Sequence, residues 1–140
     1  MNSGLRVGVY ASDVSAAFDR VPARRLLGKL SSLNLNHDFL GVISSWLEAR
    51  RSHVVVAGSH SAGRILNDMV FQGTVLGPAL WNVYIDDLAL VIEFLGFRVV
   101  LFADDVNAYK EFPPSVPDDD VYLELRNCQT QVHAWGAANQ

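Results

Sequence analysis

Two adjacent carboxylates interrupt an otherwise apolar stretch in the last third of this chain, Val99-Val100-Leu101-Phe102-Ala103-Asp104-Asp105-Val106-Asn107-Ala108-Tyr109. β-Branched and aromatic residues favour a strand. The pattern predicts strands over 97–103 and 106–112, joined as a hairpin with Asp104 and Asp105 at the turn. Like charges held side by side at such a turn repel one another, and a bound cation relieves the repulsion. Most Asp-Asp pairs serve only as turn or cap residues. An apolar strand on either side sets this pair apart and makes it a candidate site for divalent metal.

A second apolar run, Leu5 to Ser12, closes on another acid, Asp13. The small residues after it let the phosphates of a ligand approach the backbone closely. Phe18 in this setting reads as ordinary core, and Asp19 reads equally well as a cap for a helix opening near Pro22. Proline suits the first helical position, because its missing N–H has no intrahelical partner there, and a helix is expected from Pro22 to about Leu30. Asn36 or Asp38 caps the next helix, in which Phe39, Val42, Ile43, Trp46 and Leu47 share one face. Val54-Val55-Val56 and Arg64-Ile65-Leu66 flank a Gly58–Gly63 segment, which predicts a hairpin between them.

Gln72-Gly73-Thr74-Val75-Leu76-Gly77-Pro78 is a loop running into a helix that extends from Pro78 to about Glu93. Its glycines permit close approach of a ligand, and a helix N-terminus favours anionic groups. Within that helix Tyr84-Ile85-Asp86-Asp87 repeats the aromatic-x-Asp-Asp pattern, but apolar residues recur at 80, 84, 88 and 91. That periodicity sets the two acids on or near the solvated face, and the pair is read as a decoy. Pro113–Pro117 is a rigid spacer. Asp118-Asp119-Asp120 supplies the negative N-terminus of a last helix, with Val121, Leu125, Cys128, Val132 and Trp135 facing inward. That helix shows no C-cap signal at Gln140, which points to a longer chain.

Composition narrows the field. At 140 residues, half of them apolar, the chain has the material for one domain with a real core. Eleven Lys and Arg against fifteen Asp and Glu give a net charge of −4. A phosphate backbone is gripped by Lys and Arg, so this balance assigns any nucleic-acid grip largely to regions outside the chain. The single Cys128 rules out an internal disulfide. No apolar run approaches the ~20 residues that span a bilayer, and Met1-Asn2-Ser3-Gly4 lacks a secretory pattern. A soluble, intracellular protein with no membrane partner is expected. His37, His53, His60 and His133 are scattered, without metal-ligand spacing or triad geometry.

Taken together, the acid-bearing strands and the glycine loop between them resemble the palm of reverse transcriptases, particularly those of non-LTR (LINE-like) retrotransposons. Asp13-x-Ser15-x-Ala17-Phe18-Asp19 is similar to the first catalytic motif. Gln72-Gly73-Thr74-Val75-Leu76-Gly77-Pro78 is similar to the second, and Leu80 to Leu88 to the helix that follows it. Phe102-Ala103-Asp104-Asp105 is similar to the third, in its phenylalanine-initial form. The order matches, and the likeness runs from about residue 5 to residue 140.

The resemblance implies an α+β fold, the palm of a right-hand polymerase, with an antiparallel sheet carrying the catalytic aspartates and helices behind it. It implies an RNA-directed DNA polymerase that transfers a nucleotide from a dNTP to a primer 3′-OH on an RNA template, by two-metal chemistry. Asp13, Asp104 and Asp105 would be catalytic, and with the carbonyl of Val14 would hold two Mg²⁺ ions, for which Mn²⁺ would substitute. Phe18 becomes the gate that excludes a ribose 2′-OH, and Gln72 and Gly73 line the nucleotide and template pocket. RNA template, DNA primer and dNTPs are the implied partners, within a larger polyprotein acting in the nucleus. Residues 1–140 then form a partial domain, the palm without fingers and thumb.

Phe71 departs from the pattern, standing where many relatives have proline. Two other readings compete. One is a non-catalytic retrotransposon fragment, inert or reused as a binding module. The other is a different palm-type enzyme such as a nucleotidyl cyclase, which leaves the Gln72–Pro78 loop unexplained.

Overall fold

The computed structural model describes residues 4–48, 50–66 and 69–139. Helices and antiparallel sheets alternate along the chain: β1 (Arg6–Asp13), a 3₁₀ turn (Ala17–Arg20), α1 (Ala23–Ser32), α2 (His37–Leu47), β2 (Arg50–Ser52), β3 (Val55–Val56), β4 (Ser59–His60), β5 (Arg64–Leu66), α3 (Gly77–Phe94), β6 (Arg98–Phe102), β7 (Asp105–Phe112) and α4 (Asp118–Asn139). The fold is a mixed one with antiparallel sheets, as the sequence leads one to expect. The chain divides into two compact units: Met1–Ser15 with Ile85–Gln140, and Ala16–Tyr84. Among the described residues no helix is long and apolar enough to cross a membrane.

The first unit is built on a three-stranded antiparallel sheet in the order β1-β7-β6. Alternation along β7 buries Val106, Ala108 and Phe112, whereas the opposite face leaves Asp105 and Glu111 exposed. On β1 the buried position is Gly8, where an added Cβ would lie 3.0 Å from the Phe112 ring and 3.5 Å from Leu125 of α4. Glycine here lets helix and strand approach closely. Cys128, Val132 and Trp135 form the buried stripe of α4, as their spacing predicts. Lys110 of β7 snorkels over Phe97 and Phe112, donates to the Leu95 carbonyl (3.2 Å) and pairs with Glu124 (3.0 Å). Arg6 pairs with Asp118 and donates to the Val116 carbonyl, which anchors the proline-rich spacer to β1. Gly96, at φ 78°, ends α3 with a left-handed residue.

The second unit packs α1, α2 and the first turns of α3 around Val21, Leu26, Leu30, Ile43, Leu47, Val70, Trp81 and Tyr84. Pro22 is the N-cap of α1 rather than its first residue, with extended ψ 119°. Asn36 caps α2 by accepting from the Asp38 N–H at 2.7 Å. Of the five residues expected on one buried face of α2, Ile43 and Leu47 are buried and Trp46 is half-buried. Phe39 and Val42 are exposed, because only one edge of that apolar stripe meets the core.

The hairpin expected between Val54–Val56 and Arg64–Leu66 forms differently. β3 pairs with β4, and β5 pairs with β2. The turn closes on Ala57 and Gly58, both at positive φ (47° and 80°), the geometry of a two-residue hairpin whose twist matches its strands. Such a tight turn gives Val55 and Val56 partners at once and leaves the Arg64 strand to extend outward against Arg50–Ser52. The outer and inner ladders differ in register by one residue. His53 stands opposite Ala62 and Gly63, a bulge bridged by the Ser61 hydroxyl, which accepts from the Val54 N–H at 2.9 Å.

Candidate active site

Asp13 is the last residue of β1 and Asp105 the first of β7, and the two face one another across the ladder. Asp105 also faces Phe102 of β6, so a two-residue turn, Ala103-Asp104, closes the β6–β7 hairpin. The sequence led us to expect both Asp104 and Asp105 at this turn. Only Asp104 occupies it, because a two-residue connection brings Asp105 into the strand. Ala103 takes φ 53°, a conformation that glycine adopts at no steric cost and alanine does not. Beyond Asp13 the Val14 N–H donates to the Asp104 carbonyl at 2.9 Å, which ties the turn to the end of β1.

Three carboxyl groups therefore lie at one end of one sheet, from two strands and the turn beside them. Asp13 and Asp105 are exposed and Asp104 is half-buried. The Asp13 carboxyl is held above the usual carboxylate range, first by loss of surrounding water, then by the charges of Asp104 and Asp105 and by a hydrogen bond with Asp104. Among the described residues, no three His, Cys, Asp or Glu side chains are set closely enough to hold a metal ion. The acids thus act on one another electrostatically without converging on a single point. An oxygen-only set under mutual repulsion is nevertheless the donor chemistry that suits a hard divalent cation.

In the second unit, Phe18 and the Phe71–Gly77 loop come together. Phe18 is half-buried, with its ring centroid 5.7 Å from that of Trp81, and its carbonyl accepts from the Val70 N–H at 2.8 Å. Gln72 and Gly73 are exposed at the tip of the loop. Gly73 has φ 78°, as the third residue of a type II turn requires. Thr74 braces the loop by donating its hydroxyl to the Phe71 carbonyl (2.6 Å), and its hydroxyl oxygen accepts from the Gly77 N–H (3.2 Å). A Cβ on Gly77 would meet that carbonyl at 3.0 Å and the Thr74 hydroxyl at 3.2 Å, so glycine suits the first residue of α3.

Asp86 and Asp87 lie in α3, as their helical setting predicts; Asp86 is exposed, and Asp87 accepts from the Trp135 indole at 2.9 Å. Two arrangements lay beyond sequence reasoning. Phe71 is buried, edge-on to Trp46 (5.1 Å) and beneath the Arg50 guanidinium (4.3 Å), so it anchors the loop by packing. His53 and His60 stack with centroids 4.4 Å apart. The one available signal was the short turn between them, since their pairing follows from its register.

Comparison with known proteins finds a matching family model and several relatives. The model of the family "Reverse transcriptase (RNA-dependent DNA polymerase)" matches residues 4–139. The chain is 42% identical over 76 residues to a probable RNA-directed DNA polymerase from transposon BS of Drosophila melanogaster, covering 54% of this chain and 8% of that protein. It is 32% identical over 99 residues to the RNA-directed DNA polymerase from mobile element jockey of Drosophila funebris, covering 67% of this chain and 11% of the relative. It is 30% identical over 96 residues to a retrovirus-related Pol polyprotein from type-1 retrotransposable element R1 of Bradysia coprophila, covering 66% and 9%. The matched stretch thus amounts to between 8% and 11% of each of these relatives.

Proposed function

Since the chain belongs to the reverse transcriptase family, we propose that it is the palm of a retrotransposon RNA-directed DNA polymerase, with Asp13, Asp104 and Asp105 as its catalytic carboxylates. The observation that carries this reading is the pairing of Asp13 with Asp105, with Asp104 on the adjoining turn. One sheet end then presents three acids from two distant stretches of sequence, and their repulsion favours cation binding.

These acids, with the carbonyl of Val14, would hold two Mg²⁺ ions, or Mn²⁺ in their place. When bound, such ions lower the pKa of the primer 3′-hydroxyl and offset the charge of the triphosphate and its leaving pyrophosphate. The protein's own contribution is positional. The β1–β7 ladder holds Asp13 and Asp105 at fixed separation, and the Val14–Asp104 hydrogen bond orients the turn. Phe18 would meet the ribose of the incoming dNTP and exclude a 2′-hydroxyl, braced by its contact with Trp81. Gln72 and Gly73 would line the nucleotide and template pocket, where the positive φ of Gly73 exposes backbone to a ligand. RNA template and DNA primer would be shared with other parts of a polyprotein acting in the nucleus.

The test is metal binding by the chain itself. Titration with Mn²⁺, followed by the loss of the free-ion EPR signal, is expected to show binding that Asp104→Asn abolishes. Equal Mn²⁺ affinity in the wild type and Asp104→Asn would overturn the assignment.

A further inference from the structure

The helix α2 is apolar on more than its core side. Ile43 and Leu47 turn into the unit Ala16–Tyr84, yet no charged residue stands between Asp38 and Glu48 on any other side. A surface helix ordinarily sets a polar face opposite its buried one, and a helix apolar around most of its circumference is covered on more than one side. On its outer flank α2 borders an open groove of about 700 Å³, lined by Asp38, Gly41, Val42, Ser45, Trp46 and Arg50. Val42 is 64% exposed there.

Gly41 lies in the middle of that helix, where alanine would favour folding by up to about 1 kcal/mol. A Cβ at this position would meet nothing within 4 Å, so no contact inside the chain calls for glycine. Bare backbone at the floor of a groove suits the close approach of something from outside.

The groove is complementary to its own reverse. Gly41 and Ser45 are small, Val42 and Trp46 large, and the ends carry opposite charge, Asp38 at one and Arg50 at the other. Reading the helix backwards exchanges Gly41 with Trp46, Val42 with Ser45, and Asp38 with Arg50. An isologous two-fold contact requires this, because residue i meets j wherever j meets i. An unrelated partner requires no such symmetry. Within one chain Asp38 and Leu47 stand about 13 Å apart along the axis, so the acid and the arginine beyond Leu47 do not meet. Neither Asp38 nor Arg50 forms an ion pair with a described residue. Glu48 accepts from the Ser44 hydroxyl at 2.9 Å, and Arg50 is held at the Trp46 end by its packing on Trp46 and Phe71.

We propose that the outer groove of α2 is an interface between two copies of this chain, with the two helices antiparallel about a two-fold axis near Ile43 and Ser44. Trp46 of one copy lies against the bare backbone at Gly41 of the other, Val42 sits on Ser45, and Asp38 meets Arg50 at both ends. One helix face supplies fewer than the roughly 20 residues a side of a standard interface, so the dimer is weak and reversible. The proposal goes beyond the polymerase reading and does not depend on the carboxylates binding metal.

The experiment is sedimentation equilibrium of the full chain in EDTA over a range of protein concentrations. The wild type is expected to show a monomer–dimer equilibrium. Asp38→Arg and Arg50→Asp should each weaken it by about tenfold or more, since like charges then face one another at both ends. A one-to-one mixture of these two variants should dimerise again, because each contact regains opposite charges. Gly41→Leu fills the floor of the groove without crowding its own chain, and it too should weaken the dimer about tenfold while the fold is kept. Circular dichroism and thermal unfolding check that each variant is folded. A wild type that stays monomeric at millimolar concentration would overturn the proposal. So would wild-type dimerisation of Gly41→Leu, or a mixture no more dimeric than either charge variant alone, and each result leaves the Mn²⁺ assignment untouched.

Discussion

Asp13 and Asp105 occupy the same rung of the β1–β7 ladder, two like charges set opposite one another at the end of a sheet. Directly opposed like charges destabilise a strand pair. The chain keeps them there together with Asp104 on the adjoining turn, and that costs stability unless a proton or a cation intervenes.

The first prediction concerns pH. The Asp13 carboxyl titrates above its ordinary value of 3.8, so the folded chain holds its proton more tightly than the unfolded chain does. The stability this contributes is fully present below pH 3.8 and is lost as pH rises through the raised value. Asp13→Asn is therefore expected to stabilise the metal-free chain at neutral pH and to abolish Mn²⁺ binding. Urea unfolding of both proteins at acid and neutral pH checks it; a destabilised Asp13→Asn at neutral pH is the contrary result.

Ala103 holds the turn with φ 53°. A left-handed conformation costs an L-residue on the order of 1 kcal/mol, and glycine escapes it while losing more chain entropy on folding. Ala103→Gly should raise stability by roughly 0.5 kcal/mol. Unchanged or lower stability in denaturant titration would show that the turn carries no strain.

Gly77 leaves little room for a side chain, because a Cβ would press on the Phe71 carbonyl at 3.0 Å, and that carbonyl would have to give by a few tenths of an ångström. Gly77→Ala should cost about 1–3 kcal/mol, the range for overpacking a tight site. Gly28, by contrast, has nothing within 4 Å of the corresponding position and lies inside α1. Gly28→Ala should stabilise the chain by about 0.5–1 kcal/mol through helix propensity. Thermal denaturation of the two variants should give shifts of opposite sign.

Cys128 is fully buried in α4, and burial pushes its thiol above the ordinary range. The thiolate is the reactive form, so the native chain should resist a thiol reagent such as DTNB. Labelling is expected to coincide with global unfolding in guanidinium chloride. Rapid labelling of the native chain would show that α4 detaches locally from the sheet.

The local elements were written in the sequence. Periodicity placed β1 and α3 within one residue of their ends and named the buried stripe of α4, because a strand or helix that buries one face must repeat its apolar residues at the period of its own geometry. Asn36, one of two cap candidates beside Asp38, is the residue that caps α2, and the helical spacing around Asp86-Asp87 placed that pair within α3. The order of Asp13, Gln72-Gly73 and Asp104-Asp105 carried the family, since motif order survives whatever the intervening chain does.

Pairing was another matter. Nothing local states that Asp13 faces Asp105, which lies ninety-two positions further along, or that the Arg64 strand seeks Arg50–Ser52 instead of the valines. Register depends on the turn that closes first, and a one-residue difference moves every side chain to the opposite face. Two alternating residues at Ala103-Asp104 drew Asp105 into its strand. A bulge beside His53 brought two unremarkable histidines into a stack. Sequence determined the elements and the family because those depend on short-range periodicity and motif order. Which residues meet was decided by tertiary pairing, because contact depends on register between strands that are distant in the chain.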